Sequence, residues 1–150
     1  MLRITFAGHR NVFGANIREQ VDEVIATILK EDTSFEFYSG GMGEFDSLCE
    51  ASVRSAKASN KNLDIKLIYV VPYMMNTLNT NKEYYEHYYD EILFPGELEG
   101  VHYKAAITKR NRWLIDHVDY LIAYIYKDHG GAYTTLRYAQ KKNCRILHVE

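Results

Sequence analysis

The sequence predicts an α/β fold: a Rossmann-like, doubly wound, mostly parallel five-stranded sheet flanked by helices, in one domain over residues 1–150. Three observations carry this. Short apolar runs alternate with amphipathic stretches along the whole chain. Every stretch between runs is long enough for a right-handed parallel crossover. Two of the runs also empty into paired glycines that open a helix, a unit built to offer free backbone N–H groups.

Residues 2–7 form the first run, and Gly8 stops it. His9 and Arg10 follow where a parallel sheet delivers its carboxyl ends, the side on which ligands bind. Arg10 can grip a phosphate or carboxylate through two parallel N–H bonds. His9 serves either a ligand or a loop carbonyl, and the loop role is favoured. Residues 16–30 are a helix with Ile17, Val21, Val24, Ile25, Ile28 and Leu29 as its buried stripe. Asn16 and Glu19 have the form of a capping box.

The aromatic run Phe35-Glu36-Phe37-Tyr38 is the second strand, and Ser39-Gly40-Gly41-Met42-Gly43 turns it into a helix. Phe45, Leu48, Cys49, Ser52, Val53 and Ala56 recur on one face of that helix. Glycine here lets a ligand approach the backbone and permits positive φ. Glu44 and Asp46 in the first turn suit the helix dipole but oppose a phosphate on the same N–H groups. The turn therefore favours a sugar hydroxyl, a ring edge, or a phosphate neutralised in part by Arg10.

Residues 63–71 hold a continuous apolar run, Leu67 to Val71, typical of a strand buried on both faces. The stretch 73–100 is less regular; residues 82–93 are expected as a helix carrying Tyr85, Tyr89 and Ile92. Residues 104–117 form the next helix, with Ile107, Leu114, Ile115 and Val118 as its stripe and Asn111 between them. An inward polar group must be hydrogen-bonded, so Asn111 either ties down a loop or faces a ligand. Arg110 and Arg112 flank it.

Residues 119–126 are the fourth strand. Gly130-Gly131-Ala132-Tyr133-Thr134-Thr135 then repeats the strand–glycine–helix unit, with Thr134 and Thr135 placed to cap the helix or bond a phosphate oxygen. Residues 145–149 form the last strand. The candidate ligand-binding set is Gly8, His9, Arg10, Gly40, Gly41, Met42, Gly43, Glu44, Asp46, Arg110, Asn111, Gly130, Gly131, Thr134 and Thr135.

Composition narrows the function. The formal charge of −2 argues against nucleic acid as the main partner, which would call for a strong positive field. No apolar run approaches the about 20 residues of a membrane span, and the first residues lack the organisation of a signal peptide, so a cytoplasmic protein with no membrane partner is expected. Cys49 and Cys144 have neither metal nor redox spacing and are expected as buried thiols. The glycines read G-G-x-G after the second strand, which is not the dinucleotide fingerprint, and no lysine closes them as in a P-loop. No metal cluster is visible in the spacing, and nothing in it names a cofactor or a catalytic residue.

Gly8-His9-Arg10, the block Ser39 to Asp46, the block Thr108 to Asp116 and Gly130 to Thr135 together resemble the SLOG superfamily, in its YpsA/YoqJ-like branch. That superfamily takes in the LOG phosphoribohydrolases and the Smf/DprA proteins, and the resemblance runs nearly end to end. It implies a nucleotide or nucleotide-derived small molecule bound between the two glycine turns, and an isologous homodimer. LOG enzymes carry P-G-G-x-G-T-x-x-E at the second turn; here Tyr133 replaces the later glycine and Arg137 the glutamate. Three readings stay open: a nucleotide-ligand sensor or binding module, a LOG-like nucleoside-monophosphate phosphoribohydrolase, and a DprA-like single-strand binder using Lys104, Lys109, Arg110, Arg112, Lys141 and Lys142. The missing glutamate weakens the second, and the net charge weakens the third.

Overall fold

Side-chain alternation on the central strand decides the layering. In β1 (Leu2–Gly8), Ile4 and Phe6 point to one face of the sheet and Thr5 and Ala7 to the other, and all four are buried. The computed structural model describes residues 1–150. Ile4 and Phe6 join a large core with α1 (Ile17–Ile28) and α2 (Glu44–Ser59), which contribute Val21, Ile25, Phe45 and Val53. Ala7 joins a smaller core with α5 (Tyr103–Asp116) and α6 (Gly131–Ala139) through Ile115, Leu136 and Ala139. The strand β5 (Tyr120–Tyr124) divides the same way: Tyr120, Ile122 and Tyr124 toward α1 and α2, Leu121 and Ala123 toward α5 and α6. Both faces are covered, which is why β5 reads as an unbroken apolar run.

The other strands are β2 (Ser34–Ser39), β3 (Asp64–Val70), β4 (Glu91–Leu93) and β6 (Arg145–His148). The sheet order is β4-β3-β2-β1-β5-β6, with every pair parallel. The Rossmann-like α/β class holds, with six strands instead of five and no antiparallel member. The chain builds outward from β1 to β4, then returns to the far side of β1 for β5 and β6. The reversal falls at β1, so the carboxyl ends of β2, β1 and β5 surround one crevice.

The sixth strand corrects the helix expected over 82–93. That stretch is α4 (Lys82–Tyr88) followed by β4, with α3 (Asn76–Thr80) before it. Ile92 pairs with Tyr69 in the sheet instead of continuing the face that carries Tyr85. The Asp90 carboxylate sets the switch: one oxygen accepts from the Leu67 N–H at 2.7 Å and the other pairs with Lys57. A three-residue strand is too short to write a period of its own.

Two local expectations fail as well. Asn16 makes no side-chain capping bond; only its carbonyl acts, accepting from Gln20 N–H at 3.0 Å. Cys49 is buried as expected, but Cys144 is half-buried, and both thiols are free. No helix is long and apolar enough to cross a membrane.

Candidate functional site

The two glycine turns adopt nearly the same shape. Gly43, at the N-cap of α2, has φ 91° and ψ 177°; Gly130, at the N-cap of α6, has φ 97° and ψ 173°. Positive φ with extended ψ is open essentially to glycine alone. Each turn stands at the positive end of its helix dipole; in the first, the Met42 and Glu44 N–H groups are already taken by the Asp46 carboxylate and the Arg10 carbonyl. The surroundings differ: a Cβ on Gly43 would lie 2.9 Å from Arg10 Cα, while one on Gly130 meets nothing within 4 Å. Gly43→Ala is therefore expected to destabilise by about 2–3 kcal/mol and Gly130→Ala by roughly 1 kcal/mol. Urea unfolding of the two variants checks the difference, and equal losses would contradict it.

Between the turns lies a cleft of about 410 Å³. Its floor is the end of β1, and α5 forms one wall. Of the residues singled out from the sequence, Gly8, His9, Arg10, Gly40, Met42, Asp46, Arg110, Asn111, Gly130, Gly131 and Thr135 line it. Gly41, Gly43, Glu44 and Thr134 do not; they shape the turns around it. Asn11, Lys127 and His129 also line the cleft and were missed. Lys127 and His129 sit between a strand end and a glycine pair, which was the available signal.

The largest surprise is Arg110. The sequence puts Asn111 inward with Arg110 beside it; in the structure both line the cleft, but Arg110 is the buried one and Asn111 is half-buried. The buried stripe of α5 runs Ala106, Arg110, Leu114, each one turn apart, and Arg110 is 1% exposed. Its Nη1 donates to the Val70 carbonyl at 2.7 Å and the Gly40 carbonyl at 3.1 Å. Its Nε donates to Asn111 Oδ1 at 2.9 Å, and Nη2 approaches Met42 Sδ at 3.4 Å. The guanidinium thus ties the end of β3 to the glycine turn after β2. No carboxylate lies within ion-pair distance of it. Burial lowers its pKa and the field of Asp46 offsets part of that.

Asp46 is the cleft's acidic group. It is buried, and its Oδ2 accepts from the Met42 N–H at 2.9 Å. Burial pushes its carboxyl up to about 7; the Met42 N–H and Arg110 pull it down, and Glu50 pushes it further up. Glu50 lies behind the turn. It accepts from Ser39 Oγ at 2.6 Å and from the Tyr89 hydroxyl at 2.9 Å, and Ser39 Oγ in turn accepts from the Gly41 N–H at 3.1 Å. This buried chain links the turn to the end of α4. Burial raises the Glu50 carboxyl as well.

The remaining candidates divide between scaffold and surface. Glu44 clamps the loop after β1: its N–H donates to the Arg10 carbonyl at 2.8 Å and its carboxylate accepts from Val12 N–H at 3.0 Å. His9 is buried, and its Nε2 accepts from the Lys127 N–H at 3.1 Å, which joins the loops after β1 and β5. Burial, helped by the Lys127 charge, lowers the His9 pKa, which suits an imidazole nitrogen used as an acceptor. Thr134 and Thr135 donate to the carbonyls of Gly130 and Gly131, so neither caps α6 through its hydroxyl oxygen. Arg10 is exposed at the rim. No group of three or more His, Cys, Asp or Glu side chains is arranged to hold a metal.

The fold has known counterparts. No family model matches the chain, and no curated protein matches it in sequence. Among solved structures it is similar to DNA processing protein A from Helicobacter pylori, described for its single-stranded DNA binding mode (TM-score 0.65, 18% identity). It is similar too to DprA from Streptococcus pneumoniae (TM-score 0.64, 16% identity) and to the protein TM1055 (TM-score 0.60, 14% identity). These matches cover 98%, 98% and 97% of this chain, and 64%, 50% and 72% of the respective counterparts. The chain therefore spans between half and two thirds of the DprA chains it matches, and at these identities the likeness is one of fold.

Proposed function

We propose that the cleft binds a nucleotide or a nucleotide-derived small molecule through its phosphate, in a domain of the SLOG superfamily's YpsA-like branch. Arg110 carries the argument. A buried guanidinium without a carboxylate partner leaves positive charge facing a cavity that two helix N-termini already make favourable to anions. Arg10, Lys127 and the glycine turns complete an anion-binding lining at the reversal point of a parallel sheet. The test is thermal unfolding against AMP, ADP, ATP, cyclic nucleotides, NAD, ADP-ribose and nucleoside monophosphates. A ligand at a hundred times its Kd adds about 2.7 kcal/mol, expected here as a rise of roughly 5–10 °C. A flat response across the panel overturns the reading.

Two other activities are separable from it. Single-strand binding is supported by the fold likeness to the DprA proteins, which also weakens the case that charge makes against nucleic acid. The basic side chains proposed for that role do not act as one set. Arg110 is buried, Lys142 pairs with Asp116, and Arg112 lies over the Tyr138 ring. Strand binding requires a steep fall in affinity with salt, measurable with oligo(dT). A phosphoribohydrolase has less support: Arg137, at the position of the LOG glutamate, bonds Gln140 and does not line the cleft. Asp46 is then the one carboxyl lining the cleft for such chemistry, and release of free base from a nucleoside monophosphate would revive it.

A further inference from the structure

We infer that Phe13, braced by Tyr126, is the nucleobase platform of this cleft, which extends the nucleotide reading and rests on it. Phe13 is 75% exposed, the most exposed phenylalanine or tyrosine ring among the large exposed apolar side chains of the chain. It is nonetheless held. Its N–H donates to the Tyr124 hydroxyl at 3.2 Å, and its ring meets Tyr126 in an edge contact at 5.6 Å. Tyr126 is fixed in turn: its hydroxyl donates to the Asn11 carbonyl at 2.9 Å, and its ring packs at 4.6 Å on His9.

These partners belong to the cleft. Asn11 and His9 line it, and so does Lys127, whose ammonium lies 5.5 Å from the Tyr126 ring centre. Phe13 and Tyr126 do not themselves line the cleft; the loops after β1 and β5 carry this aromatic pair against residues that do, with the Lys127 ammonium beside it. Exposing an apolar ring costs free energy that packing inward would recover. A fixed exposed ring beside an anion site matches a molecule with a phosphate at one end and a flat π-face at the other. The ligand class is a nucleoside 5′-phosphate, with the base stacked on Phe13.

The experiment compares AMP with ribose 5-phosphate by calorimetry on the wild type, Phe13→Ala and Phe13→Trp. Both substitutions alter an exposed ring, and circular dichroism and the melting temperature report that each variant is folded. Wild type is expected to bind AMP more tightly than ribose 5-phosphate. Phe13→Ala should weaken AMP by about 5- to 150-fold, the range that loss of one stacked base produces, and leave ribose 5-phosphate unchanged. Phe13→Trp should retain AMP. Equal affinity of wild type for both ligands, or an AMP affinity indifferent to Phe13→Ala, overturns the platform while the phosphate site stands. Failure of wild type to bind either ligand overturns the nucleotide reading itself. Binding of oligo(dT) but not AMP, with the loss on Phe13→Ala, overturns the mononucleotide as occupant.

Discussion

Arg110→Met is expected to destabilise the protein by about 3–5 kcal/mol and to abolish phosphate-dependent binding in the cleft. Methionine keeps the apolar stem and removes the fork. The carbonyls of Val70 and Gly40 each lose a buried donor, and Asn111 Oδ1 loses its own. Unmet buried acceptors cost about 1–3 kcal/mol each, so two or three of them set the magnitude. Arg110→Lys should recover only part of this, because one ammonium cannot reach three acceptors arranged for a planar fork. Urea unfolding gives the stability and calorimetry with AMP the binding. A loss under 1 kcal/mol would show that water replaces the guanidinium without penalty.

The second large effect is on pH dependence. Asp46 has an ordinary value of 3.8 and is held at about 7 in the fold, so the folded state binds its proton more tightly than the unfolded chain does. Stability from this group is complete below pH about 4 and is lost as pH rises through 7. The span of about three pH units corresponds to something on the order of 4 kcal/mol. Glu50 acts in the same direction, since burial raises it too. His9 acts oppositely, because its lowered pKa makes the fold less stable as pH falls below 6.5. Asp46→Asn isolates the first contribution: its amide oxygen can still accept from Met42 N–H, and it carries no charge at any pH. The variant is expected to be more stable than wild type at pH 8 and about equal or weaker at pH 4. Parallel stability curves for the two proteins would refute the assignment.

Much of this architecture is legible in the chain because its signals are local. The apolar runs of β1, β3 and β5 and the two glycine turns are written in consecutive residues, and they place the cleft. What stays hidden is whatever depends on distant partners. β4 exists because Val71 N–H and Leu93 carbonyl meet at 2.9 Å across the sheet edge and because Asp90 caps Leu67. Arg110 was misplaced because a periodicity search counts arginine as polar. Its stem continues the stripe of Ala106 and Leu114 while its head finds carbonyls on β3 and in the turn after β2 that no local window contains. Asp46 was named as a first-turn acid; its burial against Glu50 and Arg110 is a property of the assembled site.

The position of β1 also governs how the molecule must come together. Its two neighbours lie far apart along the chain: Leu2 pairs with Phe35, but Ile4 pairs with Tyr120 and Gly8 with Tyr124. Arg3 N–H is bonded to the Asp119 carboxylate at 2.9 Å, across 116 residues. One edge of the central strand therefore waits for residues 120–124, and closing so long a loop must precede any reward from the contact. Until residues 120–124 arrive, an apolar strand over residues 2–8 has one unpaired edge, the kind of template on which foreign strands add. The same closure brings the turn at Gly130 opposite the turn at Gly43, so the cleft has both its walls only once that distant pairing is made.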